Sequence, residues 1–258
     1  MTDILLRHDS HNIATLTLNR PAARNALSLA LMEAFDAQLT AIAEDPTIKV
    51  VILAANGPVF CSGHDLKELR ATPTRQTYEA TFALCSRLMQ HIVALPQPVI
   101  AQVQGTATAA GCQLVATADL AIAADTAHFA TPGVNIGLFC STPMVALTRA
   151  VSRKAAMQML LTGDAITAQK AEQLGLINQS VPAHDLATTT RALAEKIASK
   201  SPLTVAIGKK AFYRQAEQDL AEAYAYTSEV MTQNMLAQDA SEGIDAFLAK
   251  RQPHWTGT

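Results

Sequence analysis

Three short runs of aliphatic residues constrain the fold of this 258-residue chain more than any other feature. They lie at 50–55, 99–103 and 120–123, and the first, VVILAA, is apolar on both faces. A strand of this kind is normally covered by helices on both sides of a sheet. Segments with helical spacing separate the runs, so strand and helix alternate along the chain. This alternation predicts an α/β fold with parallel strand pairing.

The segments around these strands also predict their own boundaries. Residues 13–18 alternate as a half-buried strand does. Ser28 can cap a helix whose apolar stripe continues to Ile42 and which ends before Asp45-Pro46. Leu84, Leu88 and Ile92 indicate a second helix, and further helices are predicted at 109–118, 155–161, 168–174, 186–198, 205–214, 220–236 and 241–250.

The best candidate for an internal boundary is Ser201-Pro202, because a preceding helix must end there and Pro202 can occupy the first turn of a new one. We therefore divide the chain into residues 1–200, which contain the α/β pattern, and residues 201–258, which are helical. Apolar stripes such as that in 220–236 predict that the second region takes part in self-association.

Composition excludes several classes of protein. Hydrophobic residues make up 49% of the chain and charged residues 16%, which is typical of a globular protein. The formal net charge of −2 gives no attraction for polyanions, so no nucleic-acid partner is expected. No uncharged run approaches the roughly 20 residues that span a bilayer, so no membrane partner is expected either.

The four cysteines form no CxxC pair, and His64 near Cys61 lacks the second ligand pair of a zinc site, so no metal is expected. Free thiols are typical of a reducing compartment. Residues 1–20 resemble neither a signal peptide nor a transit segment. We expect a cytoplasmic protein, with a mature mitochondrial form as the alternative.

Two glycine-containing turns are the places where chemistry is expected. One spans residues 60–67 and the other residues 105–113, and each follows a predicted buried strand and leads toward a helix. A free N–H at His64 or Asp65 would face outward from the first turn, and the second turn opens an alanine-rich helix. Two such amides can jointly bind an oxyanion. Neither turn has the spacing of a dinucleotide-binding or P-loop motif.

Many short motifs in a fixed order give the chain a resemblance to a known family. They are NRP at 19–21, NAL at 25–27, FCSGHDLKE at 60–68, PVIA at 98–101, Gly105, GC at 111–112, DL at 119–120, LLTG at 160–163, GLIN at 175–178, EG at 242–243, AFL at 246–248 and KR at 250–251. Together they resemble the enoyl-CoA hydratase/isomerase (crotonase) superfamily over nearly the whole chain. Residues 137–143 and the stretch from Phe212 to Trp255 resemble one branch of it in particular.

The resemblance implies a crotonase-like spiral of repeated ββα units, with a helical C-terminal region that forms homotrimers or dimers of trimers. It also implies that the ligand is a coenzyme A thioester, bound as substrate rather than as a tightly held cofactor. The thioester oxygen would accept hydrogen bonds from the amides of His64 and Ala110. Further contacts to the substrate or to coenzyme A are expected from Ala22, Ala23, Arg24, Ser62, Asp65, Leu66 and Lys67, and from Phe247 and Lys250 of a neighbouring subunit.

The chain departs from the family at the two positions that carry hydration chemistry. Hydration needs one group to activate water and another to protonate the α-carbon, and hydratases of the family use two glutamates. The matching positions here are Gln113 and Gly133. Glutamine has no proton to exchange near neutral pH and glycine has no side chain. Standard hydration is therefore not expected, and isomerisation by the second carboxylate is undermined as well.

Three hypotheses for function remain open. The first is an enzyme of the hydratase/isomerase class in which Gln113, Cys140, Ser141 or His64 supplies the missing groups. The second is a non-catalytic acyl-CoA-binding or regulatory protein. The third is an acyl-CoA thioester hydrolase with Cys140 or Ser141 as nucleophile, although Ser62 matches no nucleophile motif. Pro132, Cys140 and Ser141 are the further candidates for lining the pocket.

Overall fold

The computed structural model describes residues 3–258, so the first two residues of the predicted region 1–200 lie outside the described part. The strands are β1 (Leu5–Ser10), β2 (Ile13–Leu18), β3 (Val50–Ala55), β4 (Val59–Cys61), β5 (Val99–Val103), β6 (Thr106–Thr108), β7 (Leu120–Ala124), β8 (His128–Ala130), β9 (Ile166–Thr167) and β10 (Gln179–Val181).

Helices connect these strands and make up the C-terminal part of the chain. They are α1 (Leu29–Ala43), α2 (Leu66–Ala71), α3 (Arg75–Ala94), α4 (Ala110–Thr117), α5 (Pro143–Ala150), α6 (Arg153–Thr162), α7 (Ala168–Leu174), α8 (Leu186–Ala198), α9 (Pro202–Gln215), α10 (Leu220–Met235) and α11 (Gln238–Leu248). Short 3₁₀ helices lie at Pro21–Ala23, Pro132–Ile136 and Ala183–Asp185.

The strands form two sheets, and successive strand pairs along the chain contribute one strand to each sheet. The larger sheet has the order β1-β2-β3-β5-β7-β10, and the smaller has the order β4-β6-β8-β9. In each of the pairs β3–β4, β5–β6 and β7–β8, the first strand lies in the larger sheet and the second in the smaller sheet. A helix follows each pair. This is the expected spiral of ββα units. Pairing is parallel except for β1 with β2 and β8 with β9.

Strand β3 is buried on both faces, as its sequence predicts. Val50, Ile52 and Ala54 pack in a cluster with Ile13 and Ala194 of α8. Val51 and Leu53 lie in the main core on the opposite side of the sheet, with residues of α1 and α3. Two apolar faces are needed because helices cover both sides of the sheet.

Several predicted helix boundaries have a visible local cause. The Ser28 hydroxyl accepts a hydrogen bond from the Leu31 amide and begins α1. Ser201 caps α9 through the Thr204 amide, and Pro202 occupies the first turn. The short strands β4, β6 and β8 were not predicted, because three residues are too few to show alternation. Helix α5 was also missed.

A buried ion pair joins the C-terminal helices to the α/β spiral. The Lys209 ammonium on α9 lies 2.7 Å from the Asp119 carboxylate, and it donates to the carbonyls of Ile92 and Gln97. Asp119 also accepts hydrogen bonds from Tyr213 and from the Val99 amide. Burial lowers the pKa of Lys209, and the contact with Asp119 opposes that shift. Residues 201–258 are therefore tied to the start of β5.

The C-terminal helices leave large apolar side chains in solvent. They include Leu220, Tyr224, Leu236, Phe247 and Leu248, each at least 69% exposed. In residues 3–258 we find no helix with the length and apolar character that crossing a membrane requires.

Replacing Lys209 with alanine should lower the free energy of unfolding by about 3 kcal/mol, because Asp119 then stays in the interior without its cation. Thermal and urea unfolding measure the change. Lys210→Ala on the same helix is the matched control, since Lys210 is exposed and should change stability by no more than about 0.5 kcal/mol. Equal effects of the two substitutions would contradict a role for the ion pair in joining the two regions.

Candidate functional site

The turn after β4 is held by hydrogen bonds to the segment before α1. The Leu27 amide donates to the Gly63 carbonyl at 2.8 Å, and the Asp65 amide donates to the Leu27 carbonyl at 3.1 Å. The Asp65 amide is therefore occupied, so of the two amides predicted to face outward only that of His64 remains available. It makes no hydrogen bond with any residue in 3–258. Gly63 has φ of +95°, which allows this turn.

The second turn ends at the first residue of α4. Ala109 donates its amide to the Ala130 carbonyl at 2.9 Å and adopts φ of +51°, an unusual value for alanine. No side chain caps α4, so the amide of Ala110 is left free among residues 3–258. Such first-turn amides lie at the positive end of a helix. Ala110 thus presents a free N–H at the start of α4.

The two turns lie in van der Waals contact. A Cβ placed on Gly63 would lie 2.9 Å from the Ala109 Cβ and 3.3 Å from the Ala110 nitrogen. A Cβ on Gly111 would lie 2.1 Å from the Cys61 carbonyl oxygen. Both glycines are therefore required by the close approach of the backbones. His64 and Ala110 both line one cavity of about 560 Å³.

The wall of this cavity is mainly apolar. It is formed by Ser62, His64, Leu66, Leu69, Phe82, Ala109, Ala110, Pro132, Gly133, Asn135, Ile136, Leu138, Phe139, Cys140, Ser141, Thr142 and Pro143. No Asp, Glu, Lys, Arg or Tyr is among these described residues. His64 and Cys140 are the titratable side chains of the wall.

The imidazole of His64 is largely enclosed by protein. Both ring nitrogens are buried and make no hydrogen bond within residues 3–258. The ring packs edge to face against Phe82, with centroids 5.4 Å apart. Burial lowers the pKa of His64, and the nearby Leu27 carbonyl opposes that shift although it lies outside hydrogen-bond geometry. The ring is therefore neutral at physiological pH.

Gln113, which the resemblance places at the first hydratase glutamate, is only 4% exposed and is absent from the cavity wall. Its amide oxygen faces the Cys85 sulfur at 4.0 Å. The structure therefore does not bring Gln113 together with the other candidate residues.

Gly133 lines the cavity, but the space beside it is filled. A Cβ on Gly133 would lie 2.7 Å from the Leu138 carbonyl oxygen and 2.9 Å from the Cys140 Sγ. Residues 138–140 therefore occupy the volume that a side chain at position 133 would need. A carboxylate side chain is therefore missing here for two reasons: residue 133 is glycine, and residues 138–140 leave no space for a side chain at that position.

The candidate nucleophiles lack activating partners. Burial raises the pKa of the Cys140 thiol, so the thiol is protonated near neutral pH. The Ser141 hydroxyl donates to the Phe139 carbonyl at 3.4 Å and contacts no histidine in residues 3–258. Burial raises the pKa of Cys61 and Cys112 to about 12, which agrees with a structural role for both.

The residues expected to contact coenzyme A fall into two groups. Ser62, Leu66 and Pro132 line the cavity, and the neighbouring Arg24 and Lys67 side chains are exposed. Ala22 and Ala23 precede Arg24, whose carbonyl accepts from the Ser62 amide at 3.1 Å. The Asp65 carboxylate is engaged elsewhere, because it pairs with Arg20 at 3.0 Å and caps α2. Phe247 and Lys250 are exposed at the end of α11 and do not line the cavity of their own chain.

Sequence reasoning missed much of the apolar wall. Phe82 on α3 and Leu69 on α2 line the cavity, as do Ile136, Leu138 and Phe139. The last three form an unusual apolar cluster in a glycine-containing segment, and that was the signal available. No comparable signal marked Phe82. Among residues 3–258 no group of three or more His, Cys, Asp and Glu side chains is arranged to hold a metal ion.

This two-sheet spiral, with two free amides beside one apolar cavity, has counterparts among known proteins. The family model for enoyl-CoA hydratase/isomerase matches residues 8–258. Human enoyl-CoA hydratase domain-containing protein 3, mitochondrial, is 50% identical over 244 residues, covering 95% of this chain and 80% of that protein. The chain belongs to the enoyl-CoA hydratase/isomerase (crotonase) superfamily, in the branch of enoyl-CoA hydratase domain-containing protein 3, as the sequence indicated.

Two solved structures have nearly the same fold. An enoyl-CoA hydratase from Mycobacterium smegmatis is 51% identical, with a TM-score of 0.96 over 98% of this chain and 99% of that one. The human enoyl-CoA hydratase domain-containing protein 3 structure is 49% identical, with a TM-score of 0.96 over 98% of this chain and all of that one. The predicted fold is confirmed.

Substitution of Gly133 by alanine should lower the free energy of unfolding by about 1–3 kcal/mol, because the new methyl group meets the Leu138 carbonyl. Gly208→Ala is the control, since a Cβ there meets no atom within 4 Å and the residue lies in α9. The free energy of unfolding of this control variant should rise by about 0.5–1 kcal/mol. Differential scanning calorimetry measures the stability of both variants. An unchanged stability of Gly133→Ala would contradict the conclusion that residues 138–140 fill the space beside Gly133.

Proposed function

We propose that this protein binds acyl-CoA thioesters in the cavity of about 560 Å³ and stabilises the thioester enolate through the amides of His64 and Ala110. The observation that carries the proposal is the pair of free backbone N–H groups on two turns in contact beside that cavity. An enolate places its charge on the former carbonyl oxygen. Preorganised amides at that oxygen each lower such a barrier by about 3 kcal/mol.

The apolar wall supports an acyl chain as the occupant. Leu66, Phe82, Ile136, Leu138 and Phe139 line the cavity and are each at least 40% exposed in the free chain. Covering them with a hydrocarbon chain removes apolar surface from water, which favours binding. The exposed Arg24 and Lys67 side chains supply positive charge for the phosphates of coenzyme A.

Two-glutamate hydration is not part of the proposal. The wall contains no carboxylate, Gln113 is buried beside Cys85, and residues 138–140 fill the space next to Gly133. Restoring both glutamates by substitution would therefore not restore a hydratase site without a change in the path of residues 138–140. A non-catalytic acyl-CoA-binding role stays the alternative, and the thioester hydrolase is disfavoured by the protonated Cys140 thiol and the unassisted Ser141 hydroxyl.

The oligomeric state and the cellular compartment of the protein are also proposals. We propose a homotrimer, or a dimer of trimers, because α10 and α11 expose Leu220, Tyr224, Leu236, Phe247 and Leu248. Phe247 and Lys250 would then cover the nucleotide end of a neighbour's ligand. The compartment is the cytoplasm, or the mitochondrion that the human relative's name states.

An acyl-CoA thioester should bind about 5- to 150-fold more tightly than the S-alkyl-CoA thioether of equal chain length. The thioether lacks the carbonyl oxygen and so loses two hydrogen bonds, each with a net value of about 0.5–1.5 kcal/mol. Isothermal titration calorimetry measures both affinities. Free coenzyme A should bind more weakly than either, because it lacks the chain.

Ala110→Pro provides the protein-side version of this comparison, because proline has no N–H and the N–H that Ala110 loses has no helical partner. It should reduce the preference for the thioester over the thioether. Circular dichroism establishes that the variant is folded, and the two-ligand comparison on the unaltered protein stands if it is not. Equal affinities of the unaltered protein for thioester and thioether would contradict the proposal.

Sedimentation equilibrium tests the assembly. The expected mass is three or six times that of one chain, because the apolar side chains of α10 and α11 need a cover. Leu236→Glu should shift the protein toward the monomer, whereas Glu217→Ala, at an exposed position in the turn after α9, should not. A monomeric unaltered protein at micromolar concentration would contradict self-association.

A further inference from the structure

The turn that carries the free His64 amide is hydrogen-bonded to a neighbouring segment on both sides of that residue. The Leu27 amide donates to the Gly63 carbonyl, and the Asp65 amide donates to the Leu27 carbonyl, so that Leu27 and His64 form a parallel bridge. The Gly63 carbonyl and the His64 N–H belong to one planar trans peptide unit and point in opposite directions. The bond from Leu27 therefore directs the His64 N–H away from the neighbouring segment.

The guanidinium of Arg20 joins the two sides of this bridge. Its Nη1 donates to the carbonyl of Ala26, which precedes Leu27. Its Nη2 donates to the carboxylate of Asp65, which follows His64, at 3.0 Å. Because the guanidinium is a planar group with its donors in a fixed arrangement, the two bonds set the spacing between the segments.

The main chain of Arg20 is itself fixed to the strand from which the turn begins. The Arg20 amide donates to the side-chain oxygen of Asn25 at 2.8 Å. Asn25 is fully buried, and its side-chain nitrogen donates to the carbonyls of Asn56 and Val59. Val59 is the first residue of β4. Contacts through Asn25 and Arg20 therefore connect the beginning of β4 with the residue that follows His64.

The ion pair of Arg20 and Asp65 is partly enclosed, since the two side chains are 22% and 16% exposed. Burial by itself would raise the pKa of Asp65, but the hydrogen bonds from Arg20 and from the first amides of α2 lower it. The carboxylate is therefore charged near neutral pH. Neither side chain lines the cavity formed by residues 3–258, so any effect of the pair on a ligand there passes through the backbone.

We propose that Arg20 is a positioning residue, whose guanidinium orients the peptide unit between Gly63 and His64 so that the His64 N–H is directed at the thioester oxygen. The inference rests on the proposed function, in which the amides of His64 and Ala110 donate to that oxygen. Ala110 is the first residue of α4 and makes no contact with Arg20. Loss of the guanidinium should therefore weaken one of the two donors.

The Arg20→Gln variant tests the proposal with the acyl-CoA thioester and the S-alkyl-CoA thioether as a pair of ligands. Its preference for the thioester should fall by about 2- to 12-fold, the value of one hydrogen bond. Its affinity for the thioether should change less than about twofold, because that ligand has no oxygen for the amide. Isothermal titration calorimetry measures both affinities. A merely structural role would weaken the two ligands alike and leave their ratio unchanged.

Two further variants at arginine positions serve as controls. Arg7→Gln removes a guanidinium of similar exposure, 23%, which pairs with Asp9 and Asp45 and does not line the cavity. It should leave both affinities unchanged. Arg20→Lys keeps the positive charge but replaces the planar group by a single ammonium. It should recover part of the thioester preference that Arg20→Gln loses.

The same link is tested from its other end by Asp65→Ser. Serine caps a helix about as well as aspartate, so α2 keeps its first turn, whereas the shorter side chain cannot reach Arg20. The thioester preference should fall as it does in Arg20→Gln. The double variant should lose little more than either single variant, because both substitutions break one interaction. Circular dichroism establishes folding, and Asp65→Ser decides the question if Arg20→Gln is unfolded.

The outcomes separate this inference from the proposed function. Equal affinities of the unaltered protein for thioester and thioether would overturn both. A thioester preference in the unaltered protein that folded Arg20→Gln or Asp65→Ser retains in full would overturn the role of Arg20 alone. Equal weakening of the two ligands in these variants would assign the ion pair to folding and contradict the proposal.

Discussion

The close contact between the turn at Gly63 and the start of α4 is the constraint on which the site depends. Each of these two turns follows a short strand of the smaller sheet, and the parallel pairing of β4 with β6 sets them side by side. Gly63 and Gly111 allow the backbones to approach to distances that a Cβ would prevent. Because the amides of His64 and Ala110 belong to the backbone, the fold itself supplies them, and no side chain has to be positioned.

The proposed oxygen-binding groups therefore do not depend on the two positions at which the chain departs from the hydratase pattern. Gln113 and Gly133 stand at positions where the resemblance implies glutamate side chains, whereas the proposed oxyanion donors are main-chain amides. Residues 138–140 fill the volume beside Gly133, and Gln113 is enclosed near Cys85. The wall that remains is apolar, and its titratable members are His64 and Cys140. The proposed binding of acyl-CoA and stabilisation of its enolate fit such a wall, which has no carboxylate to activate water.

The sequence predicted four of the six strands of the larger sheet, β2, β3, β5 and β7, and most helices, because apolar runs and caps act locally. The bounds of α7 and α8 agree with the predicted 168–174 and 186–198, and α9 begins at Pro202 as expected. The smaller sheet could not be predicted, since strands of two or three residues show no period and are stabilised by their neighbours. Motif order alone identified the family. The filled space at Gly133, the enclosure of Gln113 and the partnerless ring of His64 depend on contacts between distant segments, which the sequence does not display.

A crystal structure of the protein with a bound acyl-CoA thioester tests the central claim most directly. The account predicts that the thioester oxygen lies about 2.7–3.1 Å from both the His64 and the Ala110 nitrogens, with the acyl chain against Phe82 and Leu138. A thioester oxygen directed to solvent or to a side chain, with either amide left free, would contradict it.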